Sequence, residues 1–187
     1  MHGVSGIVLA GGLGRRMGSV DKGLQPLHGR AMIEHVLSRL APQVDEIVIN
    51  ANQNLERYRS LGYRVVSDQV GGFAGPLAGL HAGLAAVSRP LAVTVPCDSP
   101  FLPEDLVARL QRNLGANDLA VAKTGEQPHP VFALVRRSVA ANLTAFLAGG
   151  GRKIDAWYAS LKVVEVSFDD ETDAFRNINT LDELRGA

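Results

Sequence analysis

The chain has 187 residues, 46% of them hydrophobic, with 19 basic and 19 acidic side chains. That length suits one domain burying roughly 70% of its unfolded surface and is too short for two comfortable ones. Balanced charge excludes a global field that would draw nucleic acid or an anionic membrane, while a single cysteine excludes an intrachain disulfide and a Cys/His metal cage and fits a reducing compartment.

The N-terminus offers His2 instead of a basic segment, and glycines break its apolar run well short of a signal-peptide core, so export is not expected. Pro96, Asp98 and Pro100 interrupt the longest apolar stretch before it reaches the roughly 18 residues that cross a bilayer. A soluble, cytoplasmic chain with no nucleic-acid or membrane partner is the expectation.

Ile7, Val8 and Leu9 form a short apolar run that stops at Gly11 and Gly12, which predicts a buried strand ending where backbone amides become accessible. Residues 26–29 read as a turn. Residues 31–40 place Ile33, Val36, Leu37 and Leu40 at helical spacing, and residues 46–50 form a second strand, so a right-handed parallel strand–helix–strand unit is predicted. A short helical segment at 55–60 leads to a third strand at 64–67 that ends at Asp68. Pro76 starts a helix through Ala86, because its missing N–H is harmless in the first turn.

Residues 91–95 make an apolar, β-branched strand stopped by Pro96, with Cys97 and Asp98 just beyond it. A helix at 103–114 turns Leu106, Val107 and Leu110 inward. Strands follow at 119–123 and 131–135, the latter antiparallel. The last third predicts a helix at 138–148, a mobile triple glycine at 149–151, a helix at 153–161 carrying Trp157 in the core, and a strand at 163–167. A short strand at 175–178 and a terminal helix capped by Thr180 and Glu183 complete the reading. This alternation predicts a single doubly wound, mostly parallel α/β domain over 1–187, Rossmann-like, with helices on both faces of the sheet. Its ligands belong beyond the strand carboxyl ends, where Gly11, Asn50, Asp68 and Asp98 gather.

The first loop, residues 6–29, concentrates the chemistry. Exposed amides at Gly11 and Gly12 suit phosphate oxygens, and Arg15, Arg16 and Lys22 add cations that stabilise charge moving in phosphoryl or nucleotidyl transfer. Two better-known glycine loops are excluded. A dinucleotide fingerprint needs a third glycine where Met17 stands and a carboxylate where the second strand ends in Asn50; a Walker A lysine precedes Ser or Thr, whereas Lys22 precedes Gly23. A nucleoside triphosphate site of another kind remains.

Leu9-Ala10-Gly11-Gly12, Arg16-Met17-Gly18 and Asp21-Lys22-Gly23, in that order and spacing, resemble the molybdenum cofactor guanylyltransferase, or MobA, family of nucleotidyltransferases. Later landmarks extend the resemblance over nearly the whole chain. It implies transfer of GMP from GTP to molybdenum-molybdopterin, with Mg²⁺ as cofactor. It implies Lys22, Asp98 and Arg16 as catalytic residues, Asp98 as metal ligand, and a GTP site of Leu9, Ala10, Gly11, Gly12, Lys22, Asn50, Asp68 and Asp98. Gly75, Pro76, Arg152, Lys153, Asn177 and Asn179 are implied for molybdopterin, and other molybdenum cofactor biosynthesis proteins and acceptor molybdoenzymes as partners.

Plainer readings stand beside these. Asn50 and Asp68 could be turn residues bonding local backbone, and Asn179 or Thr180 could cap the last helix. Arg15 reads as solvated, His129 as structural, and Cys97 as a small residue packed beneath a strand end. A cytidylyl relative would carry Leu-Ala-Ala-Gly at the first loop, and sugar-1-phosphate relatives run longer; both details favour guanine and the pterin. A non-catalytic nucleotide-binding or cofactor-delivery module is the rival of another class, and retention of Lys22 and Asp98 speaks against it.

Overall fold

In the computed structural model, residues 3–12, 21–71 and 75–178 are described. They build one seven-stranded sheet around β1 (Val4–Leu9), flanked by β4 (Glu46–Asn50) and β6 (Leu91–Pro96), both parallel to it. A separate two-stranded hairpin pairs β2 (Pro26–Leu27) with β3 (Arg30–Ala31), so the turn expected over 26–29 narrows to residues 28–29. With β5 (Arg64–Val66), β7 (Leu119–Thr124), β8 (Gln127–Arg136) and β9 (Val163–Ser167), the order is β5-β4-β1-β6-β8-β7-β9. Within this sheet, among the described residues, only β8 runs against its neighbours.

Alternation along β1 builds a core on each face. Val8 joins a cluster with Ile33, Val36 and Leu40 of α1 (Met32–Leu40) and with Leu106 and Leu110 of α4 (Leu106–Leu114). Ile7 instead joins Leu77 and Leu84 of α3 (Pro76–Ala86), Leu143 and Leu147 of α5 (Ala140–Ala148), and Trp157 of α6 (Ile154–Tyr158). Successive side chains of a strand face opposite ways, so the run of buried residues in β1 requires helices on both sides. The short α2 (Leu55–Arg59) contributes the buried Tyr58.

The topology fixes where a ligand belongs. From β1 the chain winds outward through β4 to β5, then crosses back over α3 to β6 on the other side of β1. Strand order reverses there, and in open α/β sheets the crevice beyond the carboxyl ends at such a point takes the ligand.

Several expectations need correction. The helix expected over 103–114 starts at Leu106, because the Gln43 side chain donates to the Pro103 carbonyl (2.9 Å) and accepts the Val107 amide (3.0 Å), capping the helix from outside. The helix expected over 138–148 opens with a tighter turn, Arg137–Val139, and α6 is shorter than 153–161. The triple glycine closes α5 in a hydrogen-bonded cap, with Gly151 N–H on Phe146 O (3.0 Å) and Gly150 N–H on Leu147 O (3.1 Å).

The strand expected over 175–178 does not form. Asp169–Phe175 forms 3₁₀ turns kinked at Glu171, Phe175 stacks on His129 (4.6 Å between ring centres), and Ile178 packs with Leu27 and Met32. The two apolar side chains anchor in separate places, so their spacing never becomes a sheet face. The terminal helix with Thr180 and Glu183 lies outside the described residues.

Candidate active site

The site begins where β1 stops. The Ala10 amide bonds to Asn50 O (2.8 Å) and the Cys97 amide to Leu9 O (3.1 Å), so the carboxyl ends of β1, β4 and β6 stay laced just beyond the last ladder pairs. Gly11 and Gly12 follow, with Gly12 exposed. Arg16 and its Arg-Met-Gly motif lie outside the described residues, as does Asn179.

Lys22 re-enters at the start of a 3₁₀ turn, Lys22–Leu24, and its Nζ stands 3.2 Å from Oδ2 of Asp98, the residue carried beyond β6. The side chains of the pair are 21% and 13% exposed, so the ion pair is sheltered without being sealed. The Asp98 carboxylate meets the lysine. The residue before the lysine is braced from below. Asp21 accepts the Tyr58 hydroxyl (2.5 Å) on one oxygen and the Asn54 amide (2.9 Å) on the other, and Gln25 donates to its carbonyl (3.0 Å). Tyr58 is fully buried, and its hydroxyl is held protonated by burial first, then by Cys97 and Asp21 nearby.

Cys97 lies under this turn, buried against Gly23. Burial, then the charges of Asp98 and Asp21, pushes its thiol well above the usual range. It is therefore an un-ionised packing residue and no nucleophile, as its sequence position suggested.

A second group lies across β1. Asn50 is 2% exposed and donates to Asp68 Oδ1 (2.8 Å), while Asn52 donates to Asp68 Oδ2 (2.8 Å) and accepts the Asp68 amide on its own Oδ1 (2.9 Å). The Asn52 amide also approaches Gly11 O (3.3 Å). These bonds match the plainer reading, in which Asn50 and Asp68 hold local structure, and they fix the Asp68 carboxylate near the end of β1. A Cβ at position 79 would sit 2.4 Å from Asn50 Oδ1, so only glycine lets α3 approach that amide.

The residues implied for the pterin are dispersed among several elements. Gly75 has φ +58° and precedes Pro76 at the first turn of α3. Asn177 accepts the hydroxyl of the buried Ser99, and the Ile178 amide bonds to Asp98 O (2.9 Å), which ties the 176–178 segment to the Asp98 turn. Arg152 is engaged elsewhere, its guanidinium donating to Leu147 O (2.9 Å) and Gly151 O (2.7 Å) at the end of α5. Lys153 is exposed beside it. His129 bonds through Nε2 with Thr124 Oγ1 (2.7 Å) and stacks on Phe175, and burial lowers its pKa, in line with a structural residue.

Asn52, Asn54 and Tyr58 are the site residues that the sequence reading missed. The asparagines at alternate positions after β4 carried the only signal: polar amides where a strand runs out beside a crevice.

The switch-point crevice, with Gly11 and Gly12 after β1 and the Lys22–Asp98 pair beside it, fits a nucleotidyltransferase of the mostly parallel α/β class. Residues 6–163 match the MobA-like NTP transferase domain, and the chain belongs to that family. A molybdenum cofactor guanylyltransferase of Cupriavidus necator is 54% identical over 189 residues, covering 97% of this chain and 94% of the relative. One from Shewanella sp. (strain MR-4) is 49% identical over 179 residues, with 95% and 91% covered. The crystal structure of molybdopterin-guanine dinucleotide biosynthesis protein A from Archaeoglobus fulgidus superposes with a TM-score of 0.78 at 29% identity, covering 97% of this chain and 95% of that one.

Proposed function

We propose that the chain transfers GMP from GTP to the terminal phosphate of molybdenum-molybdopterin, giving the guanine dinucleotide form of the cofactor and pyrophosphate. The observation that carries this reading is 54% identity over nearly the full length to a relative named for that activity. The local geometry supports it: a cation and a carboxylate face each other at one side of β1, and a clamped carboxylate stands at the other.

In this reading a phosphate oxygen of the pterin attacks the α-phosphorus of GTP, the bond to the bridging oxygen breaks, and pyrophosphate leaves with the electron pair. The attacking phosphate is already ionised, so no general base is needed, in keeping with a neutral Cys97 and a structural His129. Lys22 leaves Asp98 for the phosphates and offsets their charge; Arg16 adds a second cation. Leu9, Ala10, Gly11 and Gly12 border the nucleotide, with Asn50 and Asp68 on its base side. Gly75, Pro76, Lys153, Asn177 and Asn179 are assigned to the pterin, and Arg152 joins them only by giving up its cap on α5.

A divalent cation fits the donor set. Asp98 offers a hard, partly exposed carboxylate oxygen, and among the described residues no group of three His, Cys, Asp or Glu forms a protein-only cage. One carboxylate completed by substrate phosphates and waters is the usual demand of Mg²⁺. Bound there, Mg²⁺ would polarise the phosphoryl oxygens as a Lewis acid. Among the described residues no helix is long and apolar enough to cross a membrane. The proposed place of action is the cytoplasm, as one domain. GTP and the pterin are the small-molecule partners, and other cofactor-biosynthesis proteins and acceptor molybdoenzymes the macromolecular ones.

The test is pyrophosphate release with molybdopterin and Mg²⁺, comparing GTP, CTP and ATP in the wild type and Asp98→Ala, with and without chelator. GTP-selective release that chelator and the substitution both remove is expected. Preference for CTP would move the chain to the cytidylyl branch, and tight GTP binding with no release would make it a binding module.

A further inference from the structure

We propose that Asn52 sets the nucleobase preference of this enzyme by holding the Asp68 carboxylate in one orientation. The inference rests on the proposed placement of Asp68 on the base side of the nucleotide. An ionised carboxylate offers about four lone-pair sites, two on each oxygen. Asn50 takes one site on Oδ1 at 2.8 Å and Asn52 takes one on Oδ2 at 2.8 Å. One acceptor site then remains on each oxygen, and a carboxylate with one site open on each oxygen can take two parallel donors. Guanine presents that pair as N1–H and the N2 amino group. Adenine presents an acceptor at N1, which a carboxylate repels.

The two amides are not equivalent. Asn50 is buried in the strand end and also approaches Val66 O (3.4 Å), so the sheet itself fixes it. Asn52 is exposed and follows the strand, yet it closes a two-bond ring with Asp68, donating to the carboxylate and accepting the backbone amide at 2.9 Å. Its remaining approach, to Gly11 O at 3.3 Å, ties that ring to the backbone just after β1. Without Asn52 the carboxylate keeps a single anchor and turns about it, so its open sites no longer stay parallel. A site built to satisfy two donors discriminates only while its acceptors are fixed. Asn52 is thus a positioning residue; it acts through Asp68.

The experiment measures Kd for GTP, ITP and ATP by calorimetry in the wild type, Asn52→Ala, Asn52→Ser and Asp68→Ala, with KM and kcat for GTP alongside. ITP keeps N1–H and lacks the N2 amino group. The expected result for both Asn52 variants is a loss of about tenfold in the GTP-to-ATP affinity ratio, the size of one hydrogen bond to a charged group. GTP should approach ITP in affinity, and KM for GTP should rise more than kcat falls. Equal weakening of GTP and ATP, or an unchanged ratio, in an Asn52 variant while Asp68→Ala loses selectivity would overturn the role of Asn52 alone. Undiminished selectivity in Asp68→Ala would overturn the reading of Asp68 and this inference with it. Asn52→Ser, which stays polar but falls short of Asp68, serves if the alanine variant fails to fold.

Discussion

Lys22 Nζ and Asp98 Oδ2 stand 3.2 Å apart, although the lysine follows β1 and the aspartate follows β6. Each neutralises the other until a triphosphate and its cation can separate them. In the proposed reaction the two groups act on the same developing charge, so their contributions to catalysis should overlap. Lys22→Ala and Asp98→Ala should each lower kcat for pyrophosphate release by roughly 100-fold or more, the scale of losing one preorganised charge. The double variant should fall well short of the product of the two losses, as residues acting as a unit do. Fully multiplicative losses would show that the two groups serve separate steps.

Tyr58 is the support beneath this pair. Its buried hydroxyl donates to Asp21 at 2.5 Å, and Asp21 is the residue before the lysine. Tyr58→Phe keeps the packing and removes that donor, leaving the Asn54 amide as the side-chain donor on the other oxygen. A lost hydrogen bond to a charged group should cost about 1.5–3 kcal/mol. For a domain of this size that lowers Tm by roughly 3–12 °C. KM for GTP should rise as well, because the lysine turn loosens. Thermal unfolding and steady-state kinetics on the variant check both; an unchanged Tm with normal kinetics would remove Tyr58 from the site.

Much of this architecture was legible in the sequence because strand periodicity and punctuation agree in it. The bounds of β4, α3 and β9 coincide with the expected ones, since β-branched residues fill both strands and a proline starts the helix. The misses share one physical cause, which is help from distant residues. Gln43 moves the start of α4, Asp98 and His129 capture the 175–178 segment, and Arg152 is drawn to the α5 carbonyls. Tyr58 was invisible for the same reason, and Asn52 left only the faint signal of a polar amide after a strand: their bonds reach Asp21 and Asp68, 37 and 16 positions away.

Acid should reveal a second weight-bearing cluster at the amino ends of the central strands. Glu46 Oε1 accepts the Ser5 hydroxyl (2.6 Å), the Ser88 amide (2.7 Å) and the Ser88 hydroxyl (2.9 Å). Desolvation alone would raise its pKa; these hydrogen bonds outweigh it and bring the group from 4.5 to about 2. A folded-state value below the unfolded one stabilises fully above the unfolded pKa and is lost as pH falls through the folded one. Glu46→Gln should therefore be less stable than wild type at neutral pH, with the gap closing between about pH 4.5 and 2. Urea melts across that window test it, and a gap that stays constant would assign the stabilisation to packing.

Two glycines of α3, one turn apart, should separate folding from nucleotide binding. A Cβ at position 83 would lie 2.6 Å from Ile7 Cγ2, within the core, whereas one at position 79 would lie 2.4 Å from Asn50 Oδ1 and 2.9 Å from Leu9 Cδ2. Alanine in a helix interior gains about 1 kcal/mol over glycine, but overpacking costs about 1–3 kcal/mol. Both Gly83→Ala and Gly79→Ala should therefore lower Tm modestly. Only Gly79→Ala displaces Asn50, which anchors Asp68, so only that variant should lose affinity for GTP. Calorimetric Kd values at a temperature where both variants are folded decide the matter. Equal affinities would mean that Asn50 yields to the new methyl group without disturbing Asp68, and that the close approach of α3 serves packing alone.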